Sequence, residues 1–220
     1  MRDLSRMYWE TDFETIEGVG DVSLDSVVKT ENMFTRSTVQ TLDVTNWGLR
    51  SLKYAMGMFG LCRRLKELRG SGNWRLSQLE DATAMFESCK ELRTLDVTGW
   101  DMGTVLTCDS MFSGCESLQD LVGSGNWSLK NLVVANFMFS GCESLQELHA
   151  ENWDLRNLET AEGMFMDSGL KTLYIKGGPA MMLQELEAIS GVEGLVPGQT
   201  YKLDGEVYDS VFEVFSVSKC

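Results

Sequence analysis

Several chemically distinct positions recur along this chain in one constant register, and this repeat limits the fold more than any other feature. Met-Phe pairs begin at the nearly evenly spaced positions Met33, Met58, Met85, Met111, Met138 and Met164. Tryptophans stand at a constant offset before the next Met-Phe pair, at Trp47, Trp74, Trp100, Trp127 and Trp153. A period of roughly 26 residues indicates a repeat architecture, in which each unit buries its apolar face only against its neighbours.

Each repeat contains a strand signal, a turn signal and a helix signal. The pattern Leu-x-x-Leu-x-Val suits a short strand with its last leucine and valine facing inward. The Gly and Asn that follow suit a turn, and Met-Phe-x-x-Cys suits one or two helical turns laid against the strands. We therefore predict a right-handed α/β repeat solenoid. Its core contains Trp47, Trp74, Trp100, Trp127, Trp153, Phe59, Phe86, Phe112, Phe139 and Phe165, although a tryptophan stripe could also bind carbohydrate.

Two segments carry a resemblance to a known family. Residues 109–121 read DSMFSGCESLQDL and residues 94–102 read TLDVTGWDM. Both resemble the BspA-like leucine-rich-repeat family, over about residues 31–176. The resemblance implies a leucine-rich-repeat-like solenoid used for adhesion and protein contacts. The spacing of the repeats predicts about six turns of 25–27 residues. Family members occur in bacterial surface proteins, in protists and in some phage-encoded proteins.

The links between repeats alternate between two types. Residues 41–47 (TLDVTNW) and 94–100 (TLDVTGW) form one type. Residues 68–74 (LRGSGNW) and 121–127 (LVGSGNW) form the other, which is rich in glycine and one residue longer. The alternation indicates duplication of a two-repeat unit.

The two ends lie outside the predicted register. We assign residues 1–30 to an N-terminal cap, 31–176 to the solenoid and 177–220 to a C-terminal cap. In the last of these, residues 181–190 predict a helix, 200–208 a hairpin turning at Asp204-Gly205, and 211–217 a further strand. This tail is either only a cap or a docking element.

The charge distribution excludes two classes of partner. The net charge is −14, and residues 1–30 carry three basic and seven acidic groups. With no basic stripe to neutralise phosphates, we expect neither nucleic acid nor an anionic membrane as a partner. No signal peptide or apolar run of membrane-spanning length is present, so we expect a protein that is cytoplasmic when made, with the virion as another location.

Candidate chemical groups are few. His149 is the only histidine, and no catalytic, cofactor or phosphate-loop motif is present, so we expect no enzyme activity, no cofactor and no metal site. Four cysteines, such as Cys115, each follow the methionine of a Met-Phe pair by four residues. We predict that they are buried thiols that pack as small apolar side chains. The terminal Cys220 is a candidate for a disulfide to a neighbouring chain, although an idle thiol is the favoured interpretation.

Positions beside the inward strand leucines differ from repeat to repeat, as a recognition surface would. These candidate binding residues are Asp43, Glu67, Arg69, Asp96, Asp120, Val122, Glu147, His149 and Tyr174. An ordinary solvated face is the competing interpretation. We predict a non-enzymatic protein-binding or assembly scaffold, with a component of a phage particle as one setting and a bacterial adhesion or receptor-binding module as the alternative. The partner is a protein with a basic surface, or other subunits of a larger assembly.

Overall fold

The computed structural model describes residues 2–176, 200–208 and 211–219 of the chain. The strands are β1 (Thr41–Asp43), β2 (Glu67–Arg69), β3 (Thr94–Asp96), β4 (Asp120–Val122), β5 (Glu147–Ala150), β6 (Thr172–Lys176), β7 (Thr200–Tyr208) and β8 (Val211–Lys219). Three short 3₁₀ helices span Val19–Asp21, Ser71–Asn73 and Ser124–Asn126. Apart from β7 and β8, these elements are only three to five residues long, so regular secondary structure occupies a small part of each repeat.

A ladder of single parallel bridges runs through the repeats. It joins Asp3, Lys29, Tyr54, Asp81, Thr107, Val134 and Thr160 in that order, each to the next. We call the stretch from one bridge residue to the next a rung, so that rung 1 begins at Asp3 and rung 7 at Thr160. Successive rungs therefore lie side by side with their chains running in the same direction.

The longer strands pair two by two. β1 pairs with β2, β3 with β4 and β5 with β6, each in parallel register, so that Leu42 faces Leu68 and Leu95 faces Leu121. β2 and β3 lie in different sheets, as do β4 and β5. The strand ladder is thus interrupted after rungs 3 and 5, which contain the longer, glycine-rich links.

The Met-Phe-x-x-Cys segments are turns, which corrects the expectation of short helices there. The residue before each methionine and the residue three after it have positive φ, as Ser110 (54°) and Gly114 (69°) do around Met111. A right-handed helix cannot pass through left-handed residues at this spacing. The turns are held by local bonds such as that from the Met111 N–H to the Cys108 carbonyl, 3.1 Å.

Alternate peptide groups of the same turns bond to the next rung. The N–H groups of Ser110, Phe112 and Gly114 donate to carbonyls of rung 6 at 2.8, 2.9 and 2.7 Å. The pattern repeats at each junction from rung 1 to rung 7, beginning with the N–H of Tyr8 and the carbonyl of Met33. These bonds satisfy backbone groups that a helix would have paired within itself.

The core consists of two columns of stacked aromatic rings. The phenylalanine column runs from Phe34 to Phe165 with centroid separations of 5.2 to 5.9 Å. The tryptophan column runs from Trp47 to Trp153 with separations of 5.3 to 6.2 Å. All of these rings are buried except Phe165, which is half-buried in the last rung. Offset stacking at these distances adds to the hydrophobic burial of the rings.

Residues 1–30, expected to lie outside the register, contribute a rung of their own. Arg6 and Glu10 have positive φ on either side of Met7-Tyr8, at the positions that flank Met-Phe in the other rungs. The Tyr8 ring stacks on Phe34 at 4.9 Å, so tyrosine takes the place of phenylalanine. Met7 precedes Met33 by the same spacing that separates the other column methionines, but it is followed by tyrosine. A pattern that requires Met-Phe therefore does not include this first repeat.

The C-terminal region adds antiparallel strands. β7 pairs with β6, and β8 pairs with β7. The expected hairpin turn at Asp204-Gly205 is wrong, because both residues lie within the single strand β7. The pairing of β7 with β8 shifts its register between these two residues. The helix predicted for residues 181–190 and the terminal Cys220 lie outside the described residues.

Candidate functional site: the ladder face

The ladder face consists of the outward positions of β1 to β6. Asp43, Glu67, Arg69, Asp96, Asp120, Val122, Glu147 and His149 are exposed there, and Tyr174 is half-buried. The leucine between each outward pair is buried, as the two-residue period of a strand requires. Parallel pairing also places Asp43 beside Arg69 and Asp96 beside Val122. The face is therefore a single surface built from residues far apart in the sequence.

The first half of this face is held by local contacts. The backbone N–H groups of Thr45 and Thr98 donate to the carboxylates of Asp43 and Asp96 at 3.0 and 2.9 Å. Hydrogen bonding from Thr45 lowers the pKa of Asp43. Arg69 forms an exposed ion pair with Glu67 at 3.2 Å. These charges are largely engaged with their own neighbours.

The second half centres on His149. Its Nε2 lies 3.0 Å from a carboxylate oxygen of Glu147, and its Nδ1 lies 2.5 Å from one of Glu151. The imidazole also stacks on the Tyr174 ring, with centroids 4.6 Å apart and planes within 2°. Partial burial acts to lower the pKa of His149, but the hydrogen bonds and charges of Glu151 and Glu147 outweigh it and raise the pKa. His149 is therefore fixed in orientation by three neighbours.

A cavity of about 530 Å³ opens beside His149, between rungs 5 and 6. We call it the ladder cavity; it is lined by Asp120, Leu121, Val122, Gly123, Gly125, Asn126, His149, Glu151 and Asn152. Val122, 39% exposed, supplies an apolar wall, while Asp120 and Glu151 supply carboxylates. The cavity thus combines an apolar contact, an aromatic face and negative charge.

The longer link of rung 5 creates this cavity. Its 3₁₀ helix, Ser124–Asn126, occupies the place where β4 and β5 would otherwise continue the ladder. The Ser124 hydroxyl donates to the carbonyl of His149 at 2.9 Å and so replaces a strand hydrogen bond. A Cβ atom at Gly125 would lie too close to the carboxylate of Glu151, so a side chain there would require Glu151 to move.

Sequence analysis identified part of this site. It proposed Asp120, Val122 and His149, which the structure brings together, and Glu147 and Tyr174, which hold the imidazole from outside the cavity. Asp43, Glu67, Arg69 and Asp96 lie on the same face but do not line the ladder cavity. The sequence analysis missed Leu121 in β4 and the lining residues in the links beyond the strands, which are Gly123, Gly125, Asn126, Glu151 and Asn152. The extra residue of the longer link was the one available signal.

The cysteine column is buried in the core. Each thiol donates to a phenylalanine carbonyl of the preceding rung, as Cys115 does to Phe86 at 3.1 Å. Burial raises the pKa of Cys62 to about 11 and that of Cys142 to about 12. Thiols with raised pKa values are poor nucleophiles. In the described part of the chain, His, Cys, Asp and Glu side chains form no group of three or more suited to a metal ion.

Comparisons with known proteins identify one family. The family model described as "Mycoplasma protein of unknown function, DUF285" matches residues 1–94 and 64–171. The two matches together span the first six rungs and most of the seventh, including the ladder cavity. No curated protein and no solved structure matches the chain significantly. Within the described residues, none of the helices has the length and apolar character needed to cross a membrane.

Proposed function

This chain belongs to the family described as Mycoplasma protein of unknown function, DUF285, and from that premise we propose that it is a non-enzymatic scaffold for protein binding or assembly. The fold we propose for it is a leucine-rich-repeat-like solenoid. The parallel bridge ladder, the paired strands and the two aromatic columns support this assignment. Its partner is a protein that presents Lys or Arg to the ladder face.

The ladder cavity is the observation that carries this proposal. Asp120, Glu147 and Glu151 surround the single His149, so the site keeps a net negative charge even when the imidazole is protonated. A lysine or arginine side chain can place its aliphatic stem against Val122 and its charged end among the carboxylates. Electrostatic attraction of this kind speeds association and weakens as salt is added.

The surrounding structure supports a role in holding rather than turnover. Hydrogen bonds between rungs and the stack of rings keep the cavity preorganised, which lowers the entropic cost of binding. Both ring nitrogens of His149 are engaged by carboxylates, and the column thiols have raised pKa values. Few groups therefore remain for acid–base or nucleophilic work.

The experiment is a titration of the full chain with a fluorescein-labelled hexa-arginine peptide at low and high ionic strength. We expect binding that weakens with salt, and a loss of about tenfold in affinity for Glu151→Gln. Glu143→Gln is the matched control, because it removes the same charge from an exposed position of the same rung, away from the cavity. An equal loss in both variants would contradict docking in the ladder cavity.

The assembly and adhesion settings differ in the surface that makes the contact. An adhesion or receptor-binding module uses the ladder face, so charge reversal at Asp43, Asp96 and Glu147 abolishes its binding to cells. A phage-particle component uses its acidic ends, so deletion of residues 192–220 prevents its incorporation. Testing both variants in both assays assigns the setting.

A further inference from the structure

A second cavity, about 580 Å³ in volume, lies at the junction of rungs 2 and 3. We call it the arginine cleft; it is lined by Arg36, Ser37, Thr38, Leu61, Arg63 and Arg64. Three of its six lining residues are arginines, in a chain whose net charge is −14. The charged residues that line it are therefore basic, whereas the ladder cavity has acidic ones, and it lies about three rungs away from that cavity along the stack.

The repeat geometry brings these arginines together. Arg36 and Leu61 both occupy the positive-φ position three residues after a column methionine. The Arg36 N–H donates to the carbonyl of Gly60 at 3.0 Å, which places the two rungs side by side. Arg63 and Arg64 follow the column residue Cys62, where later rungs have Lys90-Glu91, Glu116-Ser117 and Glu143-Ser144. A pair of arginines at these positions is specific to rung 3 among those four repeats.

The chain itself shows which chemical group these side chains bind. Arg36 contacts Glu10 at 3.0 Å and Arg64 contacts Glu14 at 3.2 Å. Between them the Thr38 hydroxyl donates to the carboxylate of Asp12 at 2.9 Å. Carboxylates at alternate positions of residues 10–14 thus line one side of the arginines. An acidic segment with carboxylates at every second residue is therefore a ligand that this arrangement already accommodates.

Most of the donors in the cleft remain available. A guanidinium group offers five N–H donors, and each of these ion pairs is a single contact, with the Arg36 and Arg64 side chains 59% and 50% exposed. Among the described residues, no carboxylate pairs with Arg63. Arginine binds carboxylates through two parallel hydrogen bonds when both are accessible. The cleft can therefore take further carboxylates without displacing Glu10 or Glu14.

We propose that the arginine cleft binds an acidic segment of a partner protein that has carboxylates at alternate positions. The Glu10–Arg36 and Glu14–Arg64 pairs hold two guanidinium groups in place, and Arg63 supplies the third. Long-range repulsion from the acidic chain is screened beyond about 8 Å at physiological ionic strength, so short-range pairing decides the affinity. The scaffold then has one site for a basic segment and a separate site for an acidic one.

The test uses the full chain and two fluorescein-labelled synthetic peptides at physiological ionic strength. One peptide has glutamate at alternate positions, and the other has the same composition with its glutamates clustered at one end. We expect tighter binding of the alternating peptide, and a loss of about tenfold in affinity for Arg63→Gln. Arg63→Gln leaves the pairs with Glu10 and Glu14 intact, and Arg93→Gln is the matched control because it removes one exposed arginine outside the cleft.

Three outcomes would overturn the proposal. Equal weakening by Arg63→Gln and Arg93→Gln would show non-specific attraction, and absence of peptide binding would show that Glu10 and Glu14 already satisfy the site. Binding of inorganic phosphate without binding of either peptide would indicate a small-anion site instead. None of these results bears on the hexa-arginine titration of the ladder cavity, so the two proposals fail separately.

Discussion

Phe112 shows at the scale of one residue how the core is held together. Its ring lies between those of Phe86 and Phe139, with centroids 5.6 and 5.5 Å away and planes within 6° and 12° of parallel. It also stacks on Trp127 at 6.5 Å, and its side chain is fully buried. The neighbouring methionine column becomes exposed at the first rung, where Met7 is 53% accessible although the interior column methionines are buried. A residue in this register is therefore buried by its neighbouring rungs rather than by its own.

Phe112→Ala should lower the free energy of unfolding by about 3–5 kcal/mol, because it leaves a cavity between two rungs that the flanking rings cannot fill. Chemical denaturation monitored by tryptophan fluorescence measures the loss. Gln119→Ala is the control: the residue is exposed and should change stability by no more than about 0.5 kcal/mol. Similar losses in the two variants would mean that the column does not carry the core.

His149 should titrate with a pKa above the ordinary value of 6.5. Folding raises this pKa, so the contacts with Glu147 and Glu151 stabilise the folded state below the unfolded pKa. That stabilisation is lost as the pH rises through the folded pKa. Since His149 is the only histidine, NMR titration of its ring protons gives the value without assignment. Glu151→Gln should lower the pKa, and an unchanged pKa would show that the pair does not form in solution.

Each rung is built from two kinds of element, a turn segment around Met-Phe and a link that follows the strand. The turn segment places left-handed residues before the methionine and three residues after it, and only some of them are glycine. The links alternate in length, and the tryptophan contacts alternate with them. The indoles of Trp100 and Trp153 donate to the carbonyls of Ser71 and Ser124, whereas those of Trp74 and Trp127 have no acceptor among the described residues. The structural repeat is therefore a pair of rungs.

Gly141→Ala tests the turn element. Gly141 has φ of 67°, a conformation that costs an L-residue about 1–2 kcal/mol, and an added Cβ would lie 3.4 Å from the backbone of Gly114. We expect a loss of about 1 kcal/mol in unfolding free energy, measured by thermal and chemical denaturation.

Ser88→Gly is the reciprocal variant, since Ser88 occupies the same position in rung 4 with φ of 57°. Relief of backbone strain should offset the greater flexibility of glycine in the unfolded chain, leaving stability unchanged within about 0.5 kcal/mol. A marked loss for Ser88→Gly, with none for Gly141→Ala, would contradict the left-handed turn geometry.

Rungs 1 to 7 form a stack in which each rung bonds mainly to the rungs before and after it. In such an array stability is shared between neighbours, and rung 1 has only one among the described residues. Tyr8, stacked on Phe34 in rung 1, is half-buried although Phe34 is completely buried. The ladder cavity and the arginine cleft both lie at junctions between rungs, so neither site exists within a single repeat.

Amide hydrogen exchange should reveal this gradient. The N–H groups of Tyr8, Phe34, Phe86 and Phe112 make the same bond to the next rung, at 2.8 to 2.9 Å. We expect the slowest exchange at Phe86 and Phe112, with Tyr8 faster by about tenfold or more, because terminal rungs open without the rest. The matched hydrogen bonds serve as internal controls. Uniform exchange rates along the column would indicate a single cooperative unit with no fraying.

The amino-acid sequence alone determined the period, the columns and the direction of the inward side chains. Equivalent positions in stacked rungs meet the same neighbours, so packing requires the same residue type at Phe86, Phe112 and Phe139. The outward position of His149 followed from the two-residue period of a strand in the same way.

Only the tertiary structure decided how the backbone is bonded and where the cavities open. Apolar residues at i, i+1 and i+4 fit a helical turn as well as they fit the observed turn. Serine and phenylalanine do not by themselves indicate positive φ, yet Ser110 and Phe137 both adopt it. Those residues accept it because their N–H groups bond to the next rung, a partner one full repeat further along the chain. Asp120 and His149 line one cavity, and Arg36 and Arg63 line another, for the same reason: repeats stacked side by side bring together residues that no local pattern connects.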